Sequence, residues 1–353
     1  MGSFLIEGGT ELSGTVSVSG SKNAALPVIF ATLLTRGASL IRGLPNITDV
    51  NTALEIIAEY GAEITKKGEI TLINTEEVKY IAPSEKLTGK IRASSYTLGA
   101  SLGRFGRASL ISVGGCNFSL RPIDMHIRAA EAFGAEREGC ELRAPSPHPF
   151  SISFEKRSVG ATVNSLLLAA SLEGESVISG ASCEGHIGTL IEFLRSAGAK
   201  IDINADIIKV RGGNLHGGNV TIPPDAIEAG TFLALSLLSS GKVGVAGADR
   251  KELSGFLRPF TDKGAELVRR GELSYLRGEL NRRVDIIAEP HPGYPTDLQP
   301  ISAPVLARFF GGGITDTVWQ GRFGYLSELS KMGLRYKLSG NHAEIAGNTL
   351  TGA

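Results

Sequence analysis

The sequence predicts an α/β fold assembled from copies of one helix, strand, helix and hairpin unit, and three observations predict it. First, amphipathic helical stretches end at Gly61, Gly134, Gly198, Gly264 and Gly333, recurring at intervals of roughly 65 to 70 residues. Second, each closing glycine is followed by two short alternating runs around a turn, as in Ala62 to Leu72 and Ala265 to Leu276. Third, a more apolar helical segment rich in Ala, Leu and Ser lies upstream of each copy, and helices of that kind must be covered by other elements.

The elements follow in order. Leu54, Ile57 and Ala58 in the first copy, and Leu253, Phe256, Leu257 and Phe260 in the fourth, fall at helical spacing. Each closing glycine suits the left-handed residue that ends a helix. The alternating runs after it read as hairpins. The apolar helices are expected over 23–34, 92–102, 160–172, 228–237 and 297–309, with strands such as 38–41 and 108–111 behind them. Twenty residues follow Gly333, too few for another unit, so the array reads as five units with a sixth absent.

Composition narrows the function. The 353 residues include 45 Gly and 15 Pro, and 36 basic side chains balance 36 acidic ones. A near-normal apolar fraction of 42% excludes a disordered chain. A sequence pI of about 7.0 gives no footprint for nucleic acid, so the expected partner is a small molecule. The longest apolar stretch, Ala24 to Leu34, is broken by Pro27 and is too short to span a membrane. No basic segment followed by an apolar one opens the chain, and the expected location is the cytoplasm. Three widely spaced cysteines, Cys116, Cys140 and Cys183, suit a reducing compartment and form no zinc pattern. The six histidines show no ligand spacing, so neither a metal nor a cofactor is expected.

What opens the apolar helices carries chemistry. The first starts at Ser19-Gly20-Ser21-Lys22-Asn23, the second at Lys90-Ile91-Arg92. A cation at a helix N-terminus opposes the helix dipole by up to roughly 1 kcal/mol, and an anion held there would relieve it. Asp225, Glu228 and Asp297 stand at the equivalent place in the fourth and fifth copies, where ordinary capping is an equal explanation. Between 108–112 and the helix of Ile127 to Phe133 runs a loop, Val113-Gly114-Gly115-Cys116-Asn117-Phe118-Ser119-Leu120-Arg121-Pro122-Ile123-Asp124-Met125-His126, long enough to suggest function. A cation such as Arg121 near Cys116 would make its thiol a transferable acid. Cys140 and Cys183 are expected to be buried and inert.

These residues, with Lys156 to Thr162, Pro224 to Phe232 and Pro295 to Gln299, make the chain resemble the UDP-N-acetylglucosamine enolpyruvyl transferases of the EPSP synthase-like family, from residue 4 to the end. The resemblance implies an inside-out α/β barrel in two similar three-unit domains, here 22–224 and 1–21 with 225–353, the second lacking its last unit. Substrates would bind between them. It implies transfer of enolpyruvate from phosphoenolpyruvate to the 3′-hydroxyl of UDP-N-acetylglucosamine, an early step of peptidoglycan synthesis, with no metal, cofactor, nucleic acid or membrane. The oligomeric state stays open.

By resemblance, Lys22, Arg92 and Arg121 surround the phosphate, Cys116 is the general acid on a closing loop, and Asp297 takes the hydroxyl proton. Asn23, Thr296, Val318 and Arg322 would contact the sugar or the intermediate. Pro122, Ile123, Asp124 and Met125, with Lys156, Arg157, Ser158 and Val159, would hold the uridine diphosphate. Glu184-Gly185-His186 and Trp319-Gln320-Gly321-Arg322 depart from the family pattern. Two alternatives stand beside this reading: a degenerate paralogue that binds the UDP-sugar without turnover, and a transferase acting on shikimate 3-phosphate.

Overall fold

Three of the apolar helices begin where a short polar side chain caps them. Ser21 accepts from Ala24 N–H at 3.4 Å, Ser158 from Ala161 N–H at 3.3 Å, and Asp225 from Ile227 and Glu228 N–H at 2.8 and 3.1 Å. Such caps satisfy N–H groups that have no partner inside the helix. The structure, a computed structural model, describes residues 4–110, 114 and 122–353. These divide into two compact units, one of Gly20–Pro223 and one combining the described residues up to Ser19 with Pro224–Ala353.

In the unit of Gly20–Pro223 the first stretch runs α1 (Lys22–Ala31), β2 (Ala38–Arg42), α2 (Thr48–Glu59), β3 (Glu63–Lys67) and β4 (Ile70–Asn74), where β1 (Gly14–Ser17) precedes them in the other unit. After the short α3 (Glu85–Thr88) and a 3-10 turn (Arg92–Ser95) come α4 (Tyr96–Phe105), β5 (Arg107–Ser109), α5 (Asp124–Phe133), β6 (Glu136–Glu138) and β7 (Glu141–Arg143). Then follow β8 (Ser151–Ser153), α6 (Val159–Ala170), β9 (Ser176–Ser179), α7 (Gly185–Ser196), β10 (Lys200–Asn204), β11 (Ile207–Arg211) and β12 (Asn219–Thr221). Helix, strand, helix and hairpin therefore recur in order.

Every residue of α1 from Ala24 to Ala31, and of α6 from Ala161 to Ala170, is buried. A helix that is apolar all round must lie inside, and α4 packs against both of them. By contrast α2 buries one face, through Val50, Ala53, Leu54, Ile56 and Ile57. The hairpins supply the sheets: Leu40 pairs with Leu72 across β2 and β4, and Thr65 with Leu72 across β3 and β4.

Each four-stranded sheet takes its fourth strand from outside its own helix and hairpin set. β8 follows the β6–β7 hairpin and joins β9 in parallel, while β12 follows β10–β11 and returns to β2, Val220 opposite Ile41. Among the described residues, the sheet of β5, β7 and β6 has three strands.

The other unit repeats the order with α8 (Ala226–Leu238), β13 (Val243–Ala246), α9 (Ser254–Thr261), β14 (Glu266–Arg270) and β15 (Leu273–Arg277). It continues with β16 (Ile286–Ala288), a 3-10 turn (Thr296–Leu298), α10 (Gln299–Arg308), β17 (Gly312–Asp316), α11 (Tyr325–Lys331), β18 (Tyr336–Ser339) and β19 (His342–Ile345). β1 runs parallel to β13, Gly14 to Ser17 opposite Val243 to Ala246, and α8 packs on α10.

The five closing glycines adopt the left-handed backbone expected of them, with φ of 95° at Gly61, 101° at Gly134, 111° at Gly198, 112° at Gly264 and 86° at Gly333. Boundaries differ from expectation in two places: the helix expected over 92–102 opens as a 3-10 turn and becomes α4 only at Tyr96, and α5 begins at Asp124 and not at Ile127, because Asp124 in its first turn complements the helix dipole. Among the described residues no helix is long and apolar enough to cross a membrane.

Candidate active site

In the unit of Gly20–Pro223, Lys22 opens α1 beside the capping Ser21 and pairs with Asp49 of α2 at 3.6 Å, both side chains half-exposed. The strain expected of a cation in that seat is thus partly relieved by a carboxylate of the chain itself. An exposed pair of this kind adds little stability and leaves the ammonium accessible. Asn23 follows it in the first turn, half-buried. Arg92 starts the 3-10 turn that leads into α4.

Cys116 and Arg121 lie outside the described residues. Gly114, two residues before the cysteine, is described: its N–H donates to Thr88 C=O at 3.2 Å. A Cβ at Gly114 would run into the Gly89 carbonyl and come within 2.9 Å of Ile91 N, so the glycine is what lets the backbone at 114 lie against the chain just before Arg92. Pro122 and Asp124 are exposed, and Ile123 and Met125 half-buried, at the start of α5. Lys156 and Arg157 are exposed ahead of α6, which Ser158 caps and Val159 begins.

In the second unit the turn Thr296–Leu298 and the end of β17 meet. Asp316, 1% exposed, accepts four hydrogen bonds: from the Thr296 hydroxyl at 2.6 Å, Gln299 Nε2 at 3.4 Å, and the N–H groups of Val318 and Trp319 at 2.9 Å each. A buried carboxylate is tolerable when its oxygens are all occupied. Since the Thr296 proton goes to Asp316, its oxygen is left to accept from Arg322 Nη1 at 3.1 Å. Nη2 of the same guanidinium pairs with Asp297, whose carboxylate stays partly exposed. Four resemblance residues, Thr296, Asp297, Val318 and Arg322, are therefore gathered around Asp316, which sequence reading did not single out.

Behind them Gln299 Nε2 also donates to Arg322 C=O at 3.3 Å, and its Oε1 accepts from the Tyr325 hydroxyl at 2.5 Å. Burial first, then the charge of Asp316, push the Tyr325 hydroxyl well above its ordinary range, so it remains a donor. Asp225 does what capping predicts, accepting from Ile227 and Glu228 N–H, and Glu228 accepts from the backbone and hydroxyl of Ser19.

A second buried polar group escaped the sequence reading. Asn164 of α6, within an otherwise apolar run, bonds to His126 of α5 at 2.6 Å. Burial, and then the charge of Arg92, hold this imidazole down at about 4, with Asp124 opposing. Cys140 and Cys183 differ from expectation: both are exposed, Cys140 at the turn between β6 and β7 and Cys183 before α7, because hairpin tips and helix-entry loops lie at the surface. Among the described residues no three His, Cys, Asp or Glu side chains form a metal site.

Comparison with known proteins agrees with this arrangement of elements. The profile of the EPSP synthase (3-phosphoshikimate 1-carboxyvinyltransferase) family matches residues 6–353. A UDP-N-acetylglucosamine 1-carboxyvinyltransferase of Caldanaerobacter subterraneus is 37% identical over all of this chain and 87% of its own length. A relative of the same name from Listeria monocytogenes is 37% identical over 98% of this chain and 83% of its own. In fold, the enolpyruvyl transferase NikO of Streptomyces tendae superposes with a TM-score of 0.84 at 23% identity, covering 97% of this chain and 83% of that one. EPSP synthase of Acinetobacter baumannii does so at 0.70 and 17%, covering 95% and 81%. Repeated mixed α/β units, a family match from Ile6 to the last residue and relatives above one-third identity lead to one conclusion: this chain belongs to the EPSP synthase family of carboxyvinyltransferases and is an enzyme of that class.

Proposed function

We propose that the chain transfers the enolpyruvyl group of phosphoenolpyruvate to the 3′-hydroxyl of UDP-N-acetylglucosamine, releasing phosphate, in peptidoglycan synthesis in the cytoplasm. The observation that carries this reading is the 37% identity, over essentially the whole chain, with relatives named for that reaction. The domain reading proposed with it is an inside-out α/β barrel in two similar domains, five of six units being present in these 353 residues.

The chemistry asks for four things: cations for the phosphate, a proton for the methylene carbon of phosphoenolpyruvate, a base for the sugar hydroxyl, and fixed geometry. Lys22, Arg92 and Arg121 supply the cations. Cys116 gives its proton to the methylene carbon while the sugar oxygen bonds to the adjacent carbon, and Asp297 takes the hydroxyl proton. The tetrahedral adduct then loses phosphate and returns one methyl proton to the Cys116 thiolate, restoring the carbon–carbon double bond as an enol ether. Arg322 holds Asp297, and Thr296 and Asp316 hold Arg322, so the base enters the reaction already oriented. Asn23 and Val318 contact the sugar or the intermediate. Pro122, Ile123, Asp124 and Met125 hold the uridine diphosphate together with Lys156, Arg157, Ser158 and Val159, which sit at a helix N-terminus suited to anions.

Phosphate release from phosphoenolpyruvate, measured with UDP-N-acetylglucosamine and separately with shikimate 3-phosphate, tests the reading. Release with the UDP-sugar alone is expected. Release with shikimate 3-phosphate alone, or calorimetric binding of the UDP-sugar with no phosphate released, overturns it.

A further inference from the structure

We propose that Asn164 and His126 form a buried clamp that sets the register of the two segments assigned to the uridine diphosphate, the start of α5 and the start of α6. This rests on the function proposed above, since it names positioning residues for the same site.

The orientation of Asn164 follows from its partners. Its Oδ1 accepts from Gly99 N–H at 2.8 Å, and its Nδ2 donates to Ser95 C=O at 3.1 Å. A flipped amide would set donor against donor at Gly99 and acceptor against acceptor at Ser95, so Nδ2 faces the ring of His126. The contact at 2.6 Å then requires a lone pair on Nδ1. His126 is consequently neutral, with its proton on Nε2. Protonating Nδ1 would place two N–H groups face to face in a site where the side chain is 6% exposed.

Placement gives the pair its consequence. His126 is the third residue of α5, directly after Asp124 and Met125. Its other ring edge lies on Gly160, the second residue of α6, directly after Ser158 and Val159. A Cβ at Gly160 would stand 2.6 Å from Cε1 and 2.8 Å from Nε2 of that ring, so no side chain fits between the two helix starts. Ser95 ends the 3-10 turn before α4 and Gly99 lies in the first turn of α4, and this stretch serves as the fixed surface against which both segments are set. Ile123, immediately before α5, lines a small cavity with His126, Ser95 and Leu98, continuing the same contact surface. Two unrelated helix starts are thereby tied by one amide, one imidazole and one missing side chain.

The test begins with the tautomer. Ring nitrogen NMR of the labelled full-length protein at pH 7 is expected to show His126 neutral with the proton on Nε2; a proton on Nδ1 or a charged ring overturns the clamp. Steady-state kinetics follow with His126→Leu, which removes the acceptor, and His126→Asn, whose amide oxygen takes the place of Nδ1. His126→Leu is expected to raise the KM for UDP-N-acetylglucosamine at least tenfold with kcat within threefold, and His126→Asn to bring KM back to within threefold of wild type. Because the clamp holds binding groups in ground and transition states alike, the effect belongs in KM. An unchanged KM in His126→Leu, or no rescue by a folded His126→Asn, overturns it. Asn164→Asp gives an independent arm, expected to charge the ring and raise KM without unfolding the protein; a charged ring with unchanged KM overturns the clamp. Should wild type release no phosphate with the UDP-sugar, the proposed function fails, and the clamp is then read from UDP titration of wild type and His126→Leu.

Discussion

Asp316 accepts a hydrogen bond from the Thr296 hydroxyl at 2.6 Å and thereby fixes which way Thr296 faces Arg322. The carboxylate touches no group that is itself proposed to react, yet the orientation of Asp297 depends on it through two intermediaries. Asp316→Asn keeps the shape and removes one acceptor, so an amide N–H must face either Thr296 or the backbone of Val318 and Trp319. Losing one charge-assisted hydrogen bond is worth about 1.5 to 3 kcal/mol, and kcat is expected to fall roughly 10- to 150-fold. Thr296→Ser, which keeps the hydroxyl, should stay within a few-fold of wild type, and Thr296→Val should behave like Asp316→Asn. Kinetics of the three variants check the order.

Asp297→Asn removes the proposed base and leaves Arg322 an amide oxygen. General base catalysis is worth about 10²- to 10⁴-fold, so kcat should drop by that range while calorimetric affinity for the UDP-sugar stays within tenfold. Full activity in this variant would assign the proton to another group.

The sequence carried the repeat because a closing glycine is a local backbone requirement: Gly61, Gly134, Gly198, Gly264 and Gly333 have to reach positive φ whatever surrounds them. The apolar helices were equally legible, since an unbroken run such as Ala24 to Ala31 admits no solvent-facing side. The return of β12 to β2 was not, because it joins positions about 180 residues apart with no local signature. Asp316 was missed for a similar reason: one Asp at the end of a strand is ordinary, and two of its four donors, Thr296 and Gln299, come from a stretch about twenty residues earlier. Asn164 did leave a signal, a lone amide within an apolar helix, which burial converts into a demand for partners. Cys140 and Cys183 show the reverse error, an average tendency of cysteine overridden by their places in a turn and a loop.

Gly114→Ala tests the close approach at Gly114, two residues before Cys116. The added Cβ meets the Gly89 carbonyl, so the backbone at 114 must shift away from the chain leading to Arg92. Turnover is expected to fall at least tenfold while UDP-sugar binding persists. Wild-type kinetics in this variant would show that the seat is dispensable.

Covalent labelling separates the three thiols by reactivity. An epoxide phosphonate that mimics phosphoenolpyruvate should modify Cys116 and spare Cys140 and Cys183, although the latter two are exposed. Peptide mapping with the UDP-sugar present reads this directly, and equal labelling of all three would remove Cys116 from its role.

His126 predicts a pH dependence of stability. With a folded pKa lowered to about 4 from 6.5, the unfolded state binds the proton more readily. Above pH 6.5 the group is neutral in both states and contributes nothing. As pH falls from 6.5 towards 4 the folded protein loses stability, by up to about 3 kcal/mol once both values are passed. Urea unfolding at pH 7.5 and 5.0 should show wild type losing more than His126→Asn, and an equal loss in both would exclude this imidazole as the cause.

The N–H of Ser21 donates to the Pro223 carbonyl at 2.8 Å, and that of Asp225 to the Ser19 carbonyl at 2.9 Å. The polypeptide thus enters and leaves the 20–223 stretch through neighbouring positions, while β1 has its partner in β13, more than two hundred residues later. On the ribosome, the opening segment must wait until residue 246 has emerged before its strand can be paired, by which time the whole intervening stretch is already available to fold. Synthesis therefore imposes an order, with the inserted part assembled first and the part holding both described ends of the chain completed last.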